Sequence, residues 1–166
     1  MVFIFGFGCF ARRVLMGRHH RVRRANYTEC EQFDNKDQNP ELVAEQWLSN
    51  AEQDLVVAET LYKAGHYTWA AFACQQSLEK LLKAGYVKSR HKIPPHLHKL
   101  ERLSAIMKLD PTLDILGSLI EIDNCYTSTR YPGYKHDLCP RTREESKNII
   151  EKTKATYLWL KRELQL

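Results

Sequence analysis

At 166 residues, 43% hydrophobic and 27% charged, the chain is one domain of ordinary size, large enough to bury a core without disulfides or metal. Its formal net charge of +5 is uneven: residues 1–40 carry seven basic against four acidic groups, and residues 41–166 carry eighteen against sixteen. The near-neutral larger part excludes a domain that coats a polyanion by long-range charge alone. Five cysteines (Cys9, Cys30, Cys74, Cys125, Cys139) are odd in number, scattered and free of any CxxC pair, which fits a reducing compartment, with the cytoplasm as the default.

The first segment differs from the rest. Met1 to Phe10 is apolar and the arginines Arg12, Arg13, Arg18, Arg21, Arg23 and Arg24 follow it, the reverse of a secretory signal. The apolar run is also far short of the roughly 20 residues that span a membrane. Residues 1–38 read as a disordered basic leader, or as an overextended start with Met16 as an alternative initiator. Residues 39–166 read as a helical bundle.

Asn39 before Pro40 is a helix N-cap with proline in the first helical position, and Trp47, Ala51, Leu55, Ala58 and Tyr62 follow at helical spacing up to the stop at Gly65. Tyr67, Ala70, Ala71, Cys74, Leu78, Leu81 and Leu82 mark a second helix ending near Gly85 to Lys88, its alanines placed where a neighbour must come close. Leu97, Leu100, Leu103 and Met107 make a short third helix after a basic loop with Pro94-Pro95. Asp110-Pro111 repeats the cap-plus-proline start for a fourth, which carries Asp123 on its apolar stripe. Thr142 with Glu145 is a capping box, and Ile149, Ile150, Thr153, Tyr157, Leu160 and Leu164 give the last helix. No run of strand quality appears. The pattern predicts an all-α fold: an antiparallel four-helix up-and-down bundle with one additional short helix.

Few residues in this frame carry chemistry. Seven histidines include the close pairs His19-His20 and His96-x-His98, but no HExxH or Cys/His ligand spacing, so no metal site is expected. There is no GxSxG, no phosphate-cradling GxxxxGK[ST] and no dinucleotide fingerprint, and no cofactor is expected. Glu79, Lys80 and Lys83 read as a solvated helix face with an intrahelical ion pair. Gln75 and Gln76, adjacent amides in an alanine-rich helix, put at least one amide near the core. Asp54 and Asp123, each on a buried side, need a partner or a cleft, and at least one of them is expected to contact Arg130 or a lysine of the second helix.

The richest stretch is Arg130-Tyr131-Pro132-Gly133-Tyr134-Lys135-His136. Pro132 pushes Tyr131 out of the helical region and Gly133 permits a reversal, so the fourth helix must end near Arg130. Arg130 and Lys135 supply phosphate donors, the tyrosine faces can stack on a base, and His136 titrates near neutrality. An inter-helix turn whose tyrosines pack on the bundle end explains the same residues.

Taken together, Trp47-x3-Ala51-x2-Asp54-Leu55-x2-Ala58, Tyr67-x2-Ala70 with Gln75-Gln76-Ser77-Leu78-Glu79-Lys80-Leu81-Leu82-Lys83-Ala84, His98-Lys99-Leu100-x2-Leu103 and Tyr126-x3-Arg130-Tyr131-Pro132 resemble the HEPN domain, the higher eukaryotes and prokaryotes nucleotide-binding module, over about residues 44–164. The resemblance implies a four-helix bundle with an added short helix, frequent homodimerisation, and binding of nucleotides or RNA. Many members are metal-independent endoribonucleases of toxin-antitoxin systems, often encoded beside a small nucleotidyltransferase. The nuclease members carry Arg-x4-6-His, usually as Arg-Asn-x-Leu/Val-x-His on one continuous helix. Here five residues separate Arg130 from His136, within that spacing, but Pro132-Gly133 interrupts the helix. The Arg-Tyr-Pro form is similar to the subgroup described as nucleotide-binding. Three functions follow as expectations. The first is a module that binds a nucleotide or RNA at Arg130, Tyr131, Lys135 and His136, helped by His98, as a homodimer and with a nucleotidyltransferase partner. The alternative is a metal-independent endoribonuclease with Arg130 and His136 as catalytic residues. The last is a structural dimerisation module.

Overall fold

The computed structural model describes residues 39–130 and 139–166. Five helices follow in order: α1 (Pro40–Lys63), α2 (Tyr67–Arg90), α3 (Leu100–Ile106), α4 (Leu113–Arg130) and α5 (Arg143–Glu163). The fold is all-α, an antiparallel up-and-down bundle of four long helices with α3 as the short addition, and no strand occurs among the described residues. The segment read as a leader, residues 1–38, lies outside the described residues.

Local chemistry sets several helix ends. Asn39 Oδ1 accepts the Glu41 N–H at 3.0 Å and Pro40 fills the first helical position, where its missing N–H costs nothing. At the other end of α1, Gly65 takes φ +84°, a left-handed conformation in which a side chain would be strained, and the chain reverses into α2. At the start of α5 the Thr142 side chain accepts the Glu145 N–H while Glu145 reaches back to the Thr142 N–H, a complete capping box.

Three other ends differ from the sequence expectation. α2 continues to Arg90 and closes on left-handed His91 (φ 51°), two residues past the expected end near Gly85 to Lys88. Gly85 serves packing: a Cβ there would lie 2.7 and 2.8 Å from the two δ carbons of Leu164, so its hydrogen admits the end of α5. α3 begins at Leu100 and not at Leu97, because its cap comes from another helix: Asp123 Oδ1 on α4 accepts the Leu100 N–H at 3.3 Å. α4 begins at Leu113, past Asp110-Pro111, with Thr112 O accepting the Leu116 N–H at 2.9 Å.

Helix α2 is the centre and touches each of the other four. Ala70, Ala71, Cys74 and Ser77 are fully buried on it, as are Ala51 and Ala58 on α1, and these small side chains let the two helices approach until Ser77 Oγ donates to the Ala51 carbonyl at 2.7 Å. Leu78, Leu81 and Leu82 meet Leu119 and Ile122 of α4 and Ile149, Ile150 and Leu160 of α5 in one core. Each fully buried leucine contributes about 1.5–3 kcal/mol relative to exposure. Helices of this length are marginal alone, so this shared face is what holds them.

Candidate functional site

Because α2 is buried along most of its length, its polar residues cannot all reach water. Gln75 is fully buried, while Glu79 and Lys83 are only 5% and 7% exposed. The expectation of a solvated Glu79, Lys83 face is therefore corrected. What makes their burial tolerable is mutual satisfaction. Spaced by four, Gln75, Glu79 and Lys83 lie along one line of the helix. Gln75 Nε2 donates to Glu79 Oε2 at 3.1 Å and to the His98 carbonyl at 3.0 Å, and Lys83 Nζ donates to Glu79 Oε1 at 2.8 Å. The Lys83 ammonium also lies 5.4 Å from the ring centre of Trp47 on α1, whose π face receives the charge. Lys80 turns the other way, to Asp54 on α1 at 2.6 Å. The expected partner for Asp54 is thus found on α2.

The same carboxylate fixes a histidine from the segment between α2 and α3. His98 Nδ1 lies 3.0 Å from Glu79 Oε1. A carboxylate accepts, so Nδ1 carries the proton and Nε2 of the neutral ring keeps its lone pair. The His98 side chain is 52% exposed. Its ring stacks on Tyr126 of α4, centroids 5.0 Å apart and planes 18° apart. Tyr126 stacks in turn on Phe72 of α2 at 6.1 Å and 17°, and Phe72 meets Trp69 edge-on at 5.8 Å. Four aromatic rings thus run in series from the start of α2 to His98.

Neighbouring Lys99 completes the tie to α4. Its Nζ lies 3.0 Å from Asp123 Oδ2, while Asp123 Oδ1 caps Leu100. Burial pushes the Asp123 carboxyl above its ordinary value, against the lowering effect of Lys99 and the Leu100 N–H. His98 is thereby held from three directions: by Glu79 through its ring, by Gln75 through its carbonyl, and by the Asp123 contacts of the two residues after it.

Position 130 ends α4, one turn past Tyr126 on the same helix face, a rise of roughly 6 Å. Of the residues assigned to the site by sequence, the structure places His98 in this cluster and Arg130 at the helix end beside it; Tyr131, Lys135 and His136 lie outside the described residues. Among the described residues no three His, Cys, Asp or Glu side chains form a group able to hold a metal ion. No described helix is long and apolar enough to cross a membrane.

The sequence model of the HEPN domain matches residues 44–164. The chain belongs to the HEPN domain family. Two solved structures are similar to this HEPN chain. TT1696 from Thermus thermophilus is 26% identical with a TM-score of 0.61, over 72% of this chain and 96% of its own. ST0689, described as an archaeal HEPN homologue, is 26% identical with a TM-score of 0.58, over 73% of this chain and 97% of its own. Comparison with curated proteins gave no match.

Sequence reasoning did not assign Glu79, Lys83, Gln75, Tyr126 or Phe72 to the HEPN site. A signal was present: Gln75-x3-Glu79-x3-Lys83 puts three polar groups on one line of an otherwise apolar helix. The residue that Gln75 and Glu79 both hold, His98, is 19 residues from Glu79 and reaches it only through the fold.

Proposed function

We propose that this HEPN chain binds a nucleotide or RNA at the bundle end where His98, Tyr126 and the Arg130 end of α4 come together. One observation carries the reading: His98 is exposed and yet fixed, its Nδ1 held by Glu79 at 3.0 Å and its ring stacked on Tyr126. A pre-positioned ring with Nε2 available suits hydrogen bonding and stacking to a base or ribose. Exposed Arg102 follows it closely in the chain and adds positive potential for phosphate. Arg130, Tyr131, Lys135 and His136 would complete the site, with Arg130 gripping phosphate oxygens through its planar fork. In this reading residues 39–166 are the binding bundle and residues 1–38 a basic leader. The protein works in the cytoplasm as a homodimer, with a nucleotidyltransferase as partner.

A second reading rests on the five-residue separation of Arg130 and His136, the nuclease spacing of the family. His136 would act as general base on the ribose 2′-hydroxyl and Arg130 would hold the scissile phosphate, without metal, leaving a 2′,3′-cyclic end. The test is to titrate the purified full chain with labelled single-stranded RNA and with ATP, and to follow the RNA for cleavage in EDTA. Binding without cleavage, weakened by Arg130→Lys, supports the binding module. Cleavage in EDTA that slows about 100-fold or more in His136→Ala, with binding kept, establishes the nuclease. Neither binding nor cleavage leaves the structural dimerisation module.

A further inference from the structure

Two cysteines from different elements lie close together. Cys125 lies on α4, fully buried, and Cys139 lies in the segment entering α5, half-buried. Cys139 Sγ is 3.8 Å from the Cys125 carbonyl, so the two cysteines lie side by side. Thr129, one turn after Cys125, sits against both residues, its Oγ1 3.4 Å from Cys139 Sγ and donating to the Cys125 carbonyl at 2.7 Å. Each partner is anchored independently. Cys125 is part of the α4 core, while the residue after Cys139 is tied to α2 through the Thr68 hydroxyl, which donates to the Pro140 carbonyl at 3.1 Å.

We infer that Cys125 and Cys139 form a peroxide-reactive dithiol that closes to an intramolecular disulfide. Two neighbouring cysteines are not needed for packing, since a buried cysteine otherwise behaves as a small hydrophobe. The contact divides their acidity. The hydrogen bond with Cys125 lowers the Cys139 thiol to about 6, with help from Thr129 and Arg141, whereas the same pairing and full burial push Cys125 up. Cys139 is thus the more exposed residue of the pair and the one whose thiol is lowered, the combination that selects an attacking thiol. Cys74 is the contrast: its burial pushes the thiol up to about 11.

The chemistry balances with hydrogen peroxide as oxidant. The Cys139 thiolate attacks one peroxide oxygen, the O–O bond breaks, and the departing hydroxide takes a proton to leave as water. Cys139 is then a sulfenic acid. The Cys125 sulfur attacks the Cys139 sulfur, the S–O bond breaks, and the Cys125 proton leaves with the hydroxide as a second water. The two thiols lose two electrons and two protons in all, and the peroxide takes both. The ring so closed spans residues 125–139 and contains Arg130, Tyr131, Lys135 and His136. The dithiol stands on the Cys125 and Cys139 contacts alone, whether or not that stretch binds a nucleotide.

The experiment treats the reduced full chain with stoichiometric hydrogen peroxide, alkylates the remaining thiols and digests with trypsin. The expected product joins peptide 109–130 to peptide 136–141 and weighs two hydrogens less than the pair. Cys74→Ser should leave this product unchanged, and Cys139→Ser should leave Cys125 alkylated. Recovery of Cys125 and Cys139 both alkylated after peroxide overturns the proposal. So does oxidation of Cys139 without the link, pairing of either with Cys9, Cys30 or Cys74, or a disulfide between two chains. The decisive measurement needs no variant, so it stands even if a substitution fails to fold.

Discussion

Glu79 and Lys83 share a buried ion pair at 2.8 Å in which the carboxylate has already been given its other partners, Gln75 and His98. A charge pair this deep is tolerable because the carboxylate accepts from Gln75, Lys83 and His98 and the ammonium also faces the Trp47 ring; take one member away and the other remains buried and uncompensated.

Glu79→Gln should therefore destabilise the bundle by about 3–5 kcal/mol, the usual cost of breaking a buried pair, with the Trp47 ring limiting the loss at Lys83. Replacing both, as Glu79→Gln with Lys83→Met, should cost clearly less than the two single changes summed. Urea unfolding of the four proteins measures this cycle. Strict additivity would mean that the two residues do not act as a pair.

His98→Ala addresses the site without disturbing the fold. The side chain is half exposed, so the melting temperature should move little, while loss of a stacking ring and a polar nitrogen should weaken RNA binding about ten-fold or more. Fluorescence titration alongside thermal unfolding separates the two. A large drop in melting temperature with unchanged affinity would make His98 a structural residue.

Asp123 carries a pH signature. Burial raises its carboxyl in the folded state, so the folded protein binds the proton more tightly than the unfolded chain, and this contribution is lost as pH rises through the raised value. Asparagine keeps an acceptor for the Leu100 N–H and removes the buried charge. Asp123→Asn should then melt higher than the parent at neutral pH, with the difference shrinking as pH falls below the usual aspartate value of about 3.9. The opposite order at neutral pH would show that the Lys99 ion pair outweighs burial.

Glu145 runs the other way. The N–H groups of Arg141 and Thr142 hold its carboxyl below the ordinary range, so its contribution is present above the unfolded value and fades as pH falls through the folded one. Glu145→Gln can still close the capping box but cannot titrate, and should flatten the acid side of the melting curve against pH. Thr142→Ala removes the cap itself and should cost about 1 kcal/mol at every pH.

The helix pattern and two of its caps were determined by the sequence alone, because the interactions that set them are local. Asn39 caps a residue two positions on, and Thr142 and Glu145 close on each other across three. The small residues of the second helix likewise announced a close neighbour, and Ala51 and Ser77 supplied the contact. Where sequence reading erred, a distant segment intervened: Leu164 against Gly85 explains a glycine inside α2, and Asp123 on α4 decides where α3 begins. The candidate site divides on the same line. Arg130 at the end of its helix follows from the proline two residues later, and His98 was visible as a residue type. That Glu79 and Lys83 are buried, that Glu79 selects the proton position on His98, and that Tyr126 stacks beside it were decided only by the tertiary structure. Periodicity tells which face of a helix is apolar, but α2 is buried well beyond one face, and only the fold determines which buried polar groups find one another.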